Sequence, residues 1–196
     1  MEKTFWDAAR NGKVGEVKDI LRKNPSLNVN WKNETQYART ALYSACRYGH
    51  NLVVPILLAH PDIDPNLKDK DGETPFMTAC WSGKTSGVRL LLQDQRVMIN
   101  EPNIEGSTPL RWAAFKGNQD VIKWWIVSGR EMNLGTPGDI DKTEVVSLLE
   151  RFKSDAARTR SEVRMELGIN GQYYSYSYYS YYYYYSLSSF FKFPRH

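Results

Sequence analysis

The stretch from Glu73 to Leu92, ETPFMTACWSGKTSGVRLLL, sets the reading of the whole chain. It opens with Thr74-Pro75-Phe76, runs through Ala79-Cys80 to Gly83, and closes on Val88, Leu91 and Leu92. The same skeleton lies upstream as Thr40-Ala41-Leu42, Ala45-Cys46, Gly49, then Val54, Leu57 and Leu58. It returns downstream as Thr108-Pro109-Leu110, Ala113-Ala114, Gly117, then Ile122, Trp125 and Ile126. The threonines step by 74 − 40 = 34 and 108 − 74 = 34, and the three glycines keep the same step. Self-similarity at such a period marks a stacked repeat array.

Each unit carries the signals of a helix pair. Thr followed by Pro predicts a helix start, because Thr can cap and Pro at the first turn loses no useful N–H. Small Ala residues follow, on a face that must pack closely against a neighbour. Gly then ends the first helix, and the second helix carries apolar residues at helical spacing. One such pair cannot bury its own apolar faces, whereas stacked copies can.

At these residues the chain resembles the ankyrin repeat, whose consensus runs T-P-L-H-x-A-A-x-x-G-H and later V-x-x-L-L. The resemblance covers roughly the first three quarters of the chain and recurs in phase. It implies an all-α ankyrin-repeat solenoid: stacked helix-turn-helix units with loop or β-turn fingers. Residues 1–33 form a divergent N-terminal repeat, in which Phe5-Trp6-Asp7-Ala8-Ala9 aligns with Leu42 to Cys46 and Gly12 with Gly49. Residues 34–69, 70–103 and 104–134 are repeats two, three and four. Asn30, Asn66 and Asn100 align at the connections between units.

Several positions depart from the family's pattern. Ala41 stands for Pro and Tyr43 for His, which predicts a weaker helix start in repeat two. His50 is expected to make a loop hydrogen bond. Gly87 lies inside the second helix of repeat three and costs about 1 kcal/mol against Ala. Trp125 is expected in the core and Trp124 at the groove between repeats. No T-P-L helix follows repeat four. Residues 135–168 read instead as a truncated repeat with capping helices: a turn at Gly135-Thr136-Pro137-Gly138, a lone second helix over Lys142 to Phe152, and a helix from Asp155 to Leu167 capped by Ser154. Residues 169–196 are a low-complexity Tyr/Ser tail with no helical or strand period, which predicts disorder.

Composition bounds the function. The formal net charge is +4, of which Lys192 and Arg195 in the tail supply +2, leaving +2 for the repeats. A nearly neutral repeat body argues against nucleic acid as partner. No apolar run is long enough to cross a bilayer, and MEKTFWDAARNG lacks the apolar core of a signal peptide. A monomer in the cytosol, or the nucleus, is therefore expected, with no membrane association. Cys46 and Cys80 occupy one repeat position on adjacent helices and are expected as buried thiols.

Catalysis and metal binding find no support. Gly83-Lys84-Thr85 lacks the upstream Gly of a phosphate-binding loop, since Thr78 stands there. The three histidines, His50, His60 and His196, assemble with no nucleophile, and Asp62 and Asp64 have no third ligand at metal spacing. No cofactor is implied.

The family resemblance implies protein binding along a concave face made by loop tips and the exposed side of the first helices. By position, the tip residues are Gln36, Tyr37 and Arg39; Lys70, Asp71 and Glu73; Ile104, Glu105 and Ser107. The helix residues before the repeat glycines are Arg47 and Tyr48, Trp81 and Ser82, Phe115 and Lys116. These vary between units, as selective binding on a regular scaffold requires. Tyr37, Tyr48, Trp81 and Phe115 would form a row of aromatic anchors. The expected function is a non-enzymatic protein–protein interaction scaffold. The alternatives are an adaptor subunit of a larger enzyme assembly, and a degenerate repeat protein without a present role.

Overall fold

A computed structural model describes residues 1–133 and 143–169. Leu134, the Gly135–Gly138 turn, Lys142 and the tail from 170 onward lie outside the described residues. Ten α-helices account for most of the rest: α1 (Glu2–Arg10), α2 (Val14–Lys23), α3 (Ala41–Tyr48), α4 (Val54–Leu58), α5 (Pro75–Trp81), α6 (Thr85–Gln93), α7 (Pro109–Phe115), α8 (Gln119–Ser128), α9 (Thr143–Ser154) and α10 (Ala156–Glu166). Among the described residues there is no strand, only an isolated antiparallel bridge between Asn33 and Arg39.

The helices form two rows. The inner row stacks α1 on α3, α3 on α5 and α5 on α7. In the outer row α4 packs on α6 and α6 on α8. The threonine signals operate as read. The side chains of Thr40, Thr74 and Thr108 accept from the backbone N–H of Tyr43, Met77 and Arg111, three residues on. Ala41 in place of Pro does not cost α3 this cap.

The alanines and cysteines of the inner row are shut between neighbouring helices. Ala9, Ala45, Cys46, Ala79, Cys80, Ala113 and Ala114 are wholly buried. Larger groups fill the space between rows, with Phe76 meeting Trp125 edge-on at 5.1 Å. Trp124 lies at the edge of this core, under Arg89 at 3.9 Å.

Polar side chains stitch one unit to the next. Asn30 donates to the Asp62 carbonyl at 2.7 Å and accepts from Asp64 N–H at 2.9 Å. Asn66 donates to the Arg96 carbonyl at 2.8 Å and accepts from Met98 N–H at 2.7 Å. Asn100 donates to the Glu131 carbonyl at 3.1 Å and accepts from Asn133 N–H at 2.9 Å. A second seam follows the repeat glycines. His50 Nε2 bonds the Arg10 carbonyl at 2.7 Å, and Asn118 donates to the Cys80 carbonyl at 2.7 Å. Both meet carbonyls at the end of the preceding inner helix, groups with no partner inside that helix.

The stack is closed at its far end by α9 and α10, which pack on each other and on α8. Val145, Leu148, Leu149 and Val163 join the continuous core. Arg160 donates to the Ile126 carbonyl at 3.0 Å, and Lys123 pairs with Glu166 at 3.0 Å. The last helix is therefore docked. Its cap corrects the sequence reading: Ser154 is the final residue of α9 and donates to the Arg151 carbonyl, while Asp155 accepts from Arg158 N–H at 2.9 Å.

Two glycines should respond to alanine in opposite directions. Gly12 has φ +68°, and a Cβ there would meet the His50 ring at 2.5 Å. Gly12→Ala is expected to cost about 2–3 kcal/mol in urea unfolding, from left-handed strain and the weakened His50 bond. Adding His50→Ala should cost less than the sum of the two single changes. Gly87 is helical, and its nearest atom to an added Cβ is Lys84 Cβ at 4.0 Å. Gly87→Ala is expected to stabilise by about 1 kcal/mol.

A candidate protein-binding face

The fingers between outer and inner helices are shaped by side chains that bond their own backbone. Asp69 Oδ1 accepts from the N–H groups of Asp71 and Glu73, both at 3.0 Å. Asn103 Oδ1 does the same for Glu105 at 3.1 Å and Ser107 at 2.9 Å. These turns close with Asp69 N–H on the Glu73 carbonyl and Asn103 N–H on the Ser107 carbonyl. The first finger is two residues longer, since Asn33 N–H reaches the Arg39 carbonyl at 3.1 Å. A 3-10 turn over Glu34–Gln36 and left-handed backbone at Tyr37 and Ala38 take up the extra length. Neighbouring fingers then bond one another: Lys70 N–H to the Tyr37 carbonyl at 2.9 Å, and Ile104 N–H to the Asp71 carbonyl at 3.2 Å.

Six of the nine expected tip residues are exposed on this strip: Gln36, Tyr37, Lys70, Asp71, Ile104 and Glu105. The other three face inward. Ser107 is buried at the closing bond of its turn, so the sequence reading of it as a tip residue is corrected. Arg39 lies half-buried, its Nε 3.1 Å from the Asp69 carboxylate, with the Tyr37 and Tyr43 rings at 4.9 and 5.0 Å. Glu73 is half-buried and accepts from the Tyr43 hydroxyl at 2.8 Å. Arg39 therefore ties two adjacent fingers, and Glu73 ties its finger to the preceding inner helix.

A second row runs along the ends of the inner helices. Tyr48 and Phe115 are exposed there, while Trp81, Arg47 and Ser82 are half-buried. Cations alternate with rings across the repeats. Arg10 lies over Trp6 at 5.6 Å and over Tyr48 at 5.4 Å. Arg47 lies over Trp81 at 5.2 Å, and Lys116 approaches the same ring at 4.7 Å and Phe115 at 5.6 Å. Trp112 meets Phe115 edge-on at 5.8 Å. The Ser82 hydroxyl is shielded from solvent and has no partner among the described residues.

Three members of the site escaped the sequence reading. Arg10 sits two residues before Gly12, the register of Arg47, Trp81 and Phe115, so alignment on the glycine would have found it. Trp112 stands one helical turn before Phe115. Tyr43 counted as a defect in the repeat pattern, yet it is fully buried and its hydroxyl reaches the next finger. Trp6 holds the same register and donates from Nε1 to the Arg39 carbonyl at 2.8 Å.

Electrostatics separate the framework from the open face. Burial raises the Glu73 carboxyl above the usual range and the neighbouring Asp69 charge adds to this, against the Tyr43 bond. Burial also raises the Tyr43 hydroxyl. On the open face the Arg10 bond draws the Tyr48 hydroxyl below its usual value. Cys46 and Cys80 are free, and burial pushes both thiols up, away from the reactive thiolate. Among the described residues no group of three or more His, Cys, Asp or Glu is placed to hold a metal ion. Among them also, no helix is long and apolar enough to cross a membrane.

Comparison with known proteins agrees with this architecture. A family model described as ankyrin repeats in three copies matches residues 5–101 and 61–135. The ankyrin repeat and SAM domain-containing protein 6 of Rattus norvegicus is 25% identical over 167 residues, which cover 85% of this chain and 19% of the relative. Its Mus musculus counterpart aligns with the same identity and coverage. The chain thus spans about a fifth of the length of these curated relatives.

The Tyr43–Glu73 bond can be tested by stability. Tyr43→Phe leaves a half-buried carboxylate without its donor and should cost about 1–2 kcal/mol. Glu73 has a folded pKa above its unfolded 4.5, so its contribution is full below that value and lost as pH rises through the folded one. Glu73→Gln keeps an acceptor but cannot ionise. Urea unfolding should therefore show the Gln variant gaining stability over the unaltered chain as pH rises above about 4.5.

Proposed function

This chain belongs to the ankyrin-repeat family, and on that premise we propose that it is a non-enzymatic scaffold that binds a protein partner across its inner face. Ankyrin repeats serve generally as protein–protein interaction modules. The observation that carries the reading here is the cross-repeat row of Tyr48, Trp81 and Phe115, flanked by cations. Aromatic residues and Arg dominate interface hot spots, because they exchange large areas at low entropic cost. The row is also braced. Arg47 and Lys116 reach Trp81 from the repeats on either side, so less freedom remains to be lost on binding.

The fingers supply a second exposed strip along the stack. Tyr37 and Ile104 are more than half exposed, at 56% and 74%, and their backbones are fixed by finger-to-finger bonds. Exposed apolar side chains on a rigid backbone are suited to contact. Gln36, Lys70, Asp71 and Glu105 provide a polar border, the pattern of an interface rim.

The test uses the full chain as bait in a cytosolic extract, beside the same chain carrying Tyr48→Ala, Trp81→Ala and Phe115→Ala. A partner retained by the first and lost by the second is the expected result, with circular dichroism showing both folded. Against that partner Trp81→Ala alone should weaken binding by more than about 1 kcal/mol. A partner held equally by both baits would place the working surface elsewhere.

A further inference from the structure

The chemistry of the inner row narrows the partner. Arg10, Arg47 and Lys116 lie on rings, and none of the three forms an ion pair with a carboxylate among the described residues. Several other surface cations are matched within the fold: Lys3 with Asp7, Lys13 with Glu16, Arg22 with Asp19, Lys68 with Glu101 and Lys70 with Glu34. The one acid near the start of the row, Asp7, is already taken by Lys3. The exposed acids Glu34, Asp71 and Glu105 stand instead on the finger strip, where Glu34 is paired with Lys70 at 3.1 Å. The helix-end row is thus cationic and aromatic, whereas the finger strip carries charges of both signs.

Resting on the scaffold reading above, we infer that the partner presents an extended acidic segment, whose carboxylates meet Arg10, Arg47 and Lys116 while interleaved apolar side chains meet Tyr48, Trp81 and Phe115. A carboxylate gains a charge-assisted hydrogen bond from guanidinium or ammonium, which a ring face does not replace. The cations need not abandon the rings to make it, since a ring occupies one face of the group and leaves other donors free. The span fits a short peptide. Arg10 belongs to the first repeat and Lys116 to the fourth, three steps of about 9 Å between packed helices. An extended chain at about 3.3 Å per residue covers that distance in roughly eight residues. Nucleic acid fits less well, because three cations neutralise few phosphates.

A random dodecapeptide library displayed on phage, panned on the full chain, tests this. Retained sequences are expected to carry a clear excess of Asp and Glu over Lys and Arg. A synthetic copy of the most frequent sequence, labelled for fluorescence anisotropy, should bind at least about tenfold more weakly to Arg10→Ala/Arg47→Ala/Lys116→Ala. Its affinity for the unaltered chain should fall as sodium chloride rises from about 50 to 500 mM, a reading that needs no variant to fold. Peptides without an acidic excess that still require Tyr48, Trp81 and Phe115 would overturn the acidic partner and keep the scaffold reading. Peptides indifferent to all six residues, or none retained, would overturn both. Tighter binding of a labelled twelve-residue oligothymidylate, lost in the cation variant, would overturn the inference in favour of nucleic acid.

Discussion

No unit of this chain can cover its own apolar faces, and the contact between neighbouring repeats is the constraint on which the rest depends. A helix such as α5 has seven residues, far below the length at which an isolated helix is stable in water. It persists because Ala79 and Cys80 are shut against its neighbours, with no solvent at either side. The demand is local and repeated, so energy is gained between adjacent units rather than around one centre. The asparagines at 30, 66 and 100 do for the backbone what the alanines do for the apolar faces. Each satisfies one carbonyl and one N–H of the following connection, groups that would otherwise lack partners where the chain leaves regular structure.

The same constraint explains the far end. After α8 no full repeat follows among the described residues, but the outer row still needs a cover. α9 supplies it, and α10 folds back over both, with Val163 wholly buried and Arg160 bonded to the Ile126 carbonyl. A terminal element may be irregular provided that it buries the last exposed stripe and turns a charged face outward. The exposed sides of α9 and α10 carry Arg151, Arg158 and Glu162 in a bonded group, as a capping unit needs.

Much of this was legible from spacing. Thr caps, repeat glycines and the aligned asparagines all act through the backbone, and backbone demands recur at the repeat period whatever the side-chain surroundings. The positions that misled are those whose role is set by an adjacent repeat. Tyr43 departs from the consensus, but its hydroxyl takes over the bond to the next finger, a distance of 30 residues in sequence. Arg39 and Ser107 lie where tips are expected, yet a buried Asp69 carboxylate claims the first and a turn-closing bond hides the second. Ser154 and Asp155 are both good caps. Which one starts α10 was decided by α9 running to Ser154, an outcome of tertiary docking that no local signal contains.

The candidate face inherits its geometry from the stack. Three of the cation–ring contacts of the inner face join different repeats: Arg10 to Tyr48, Arg47 to Trp81, Lys116 to Trp81. None of these three is between residues that one helix could place alone. The face therefore exists only while repeats one to four remain in register, and anything that loosens a junction disperses the row. This links two features that sequence treats as unrelated. The buried alanines and asparagines set the spacing, while the variable residues before each glycine supply the chemistry. Because the first set fixes where the second stands, the variable positions are free to differ, and a ring in one repeat can be braced by a charge from the next.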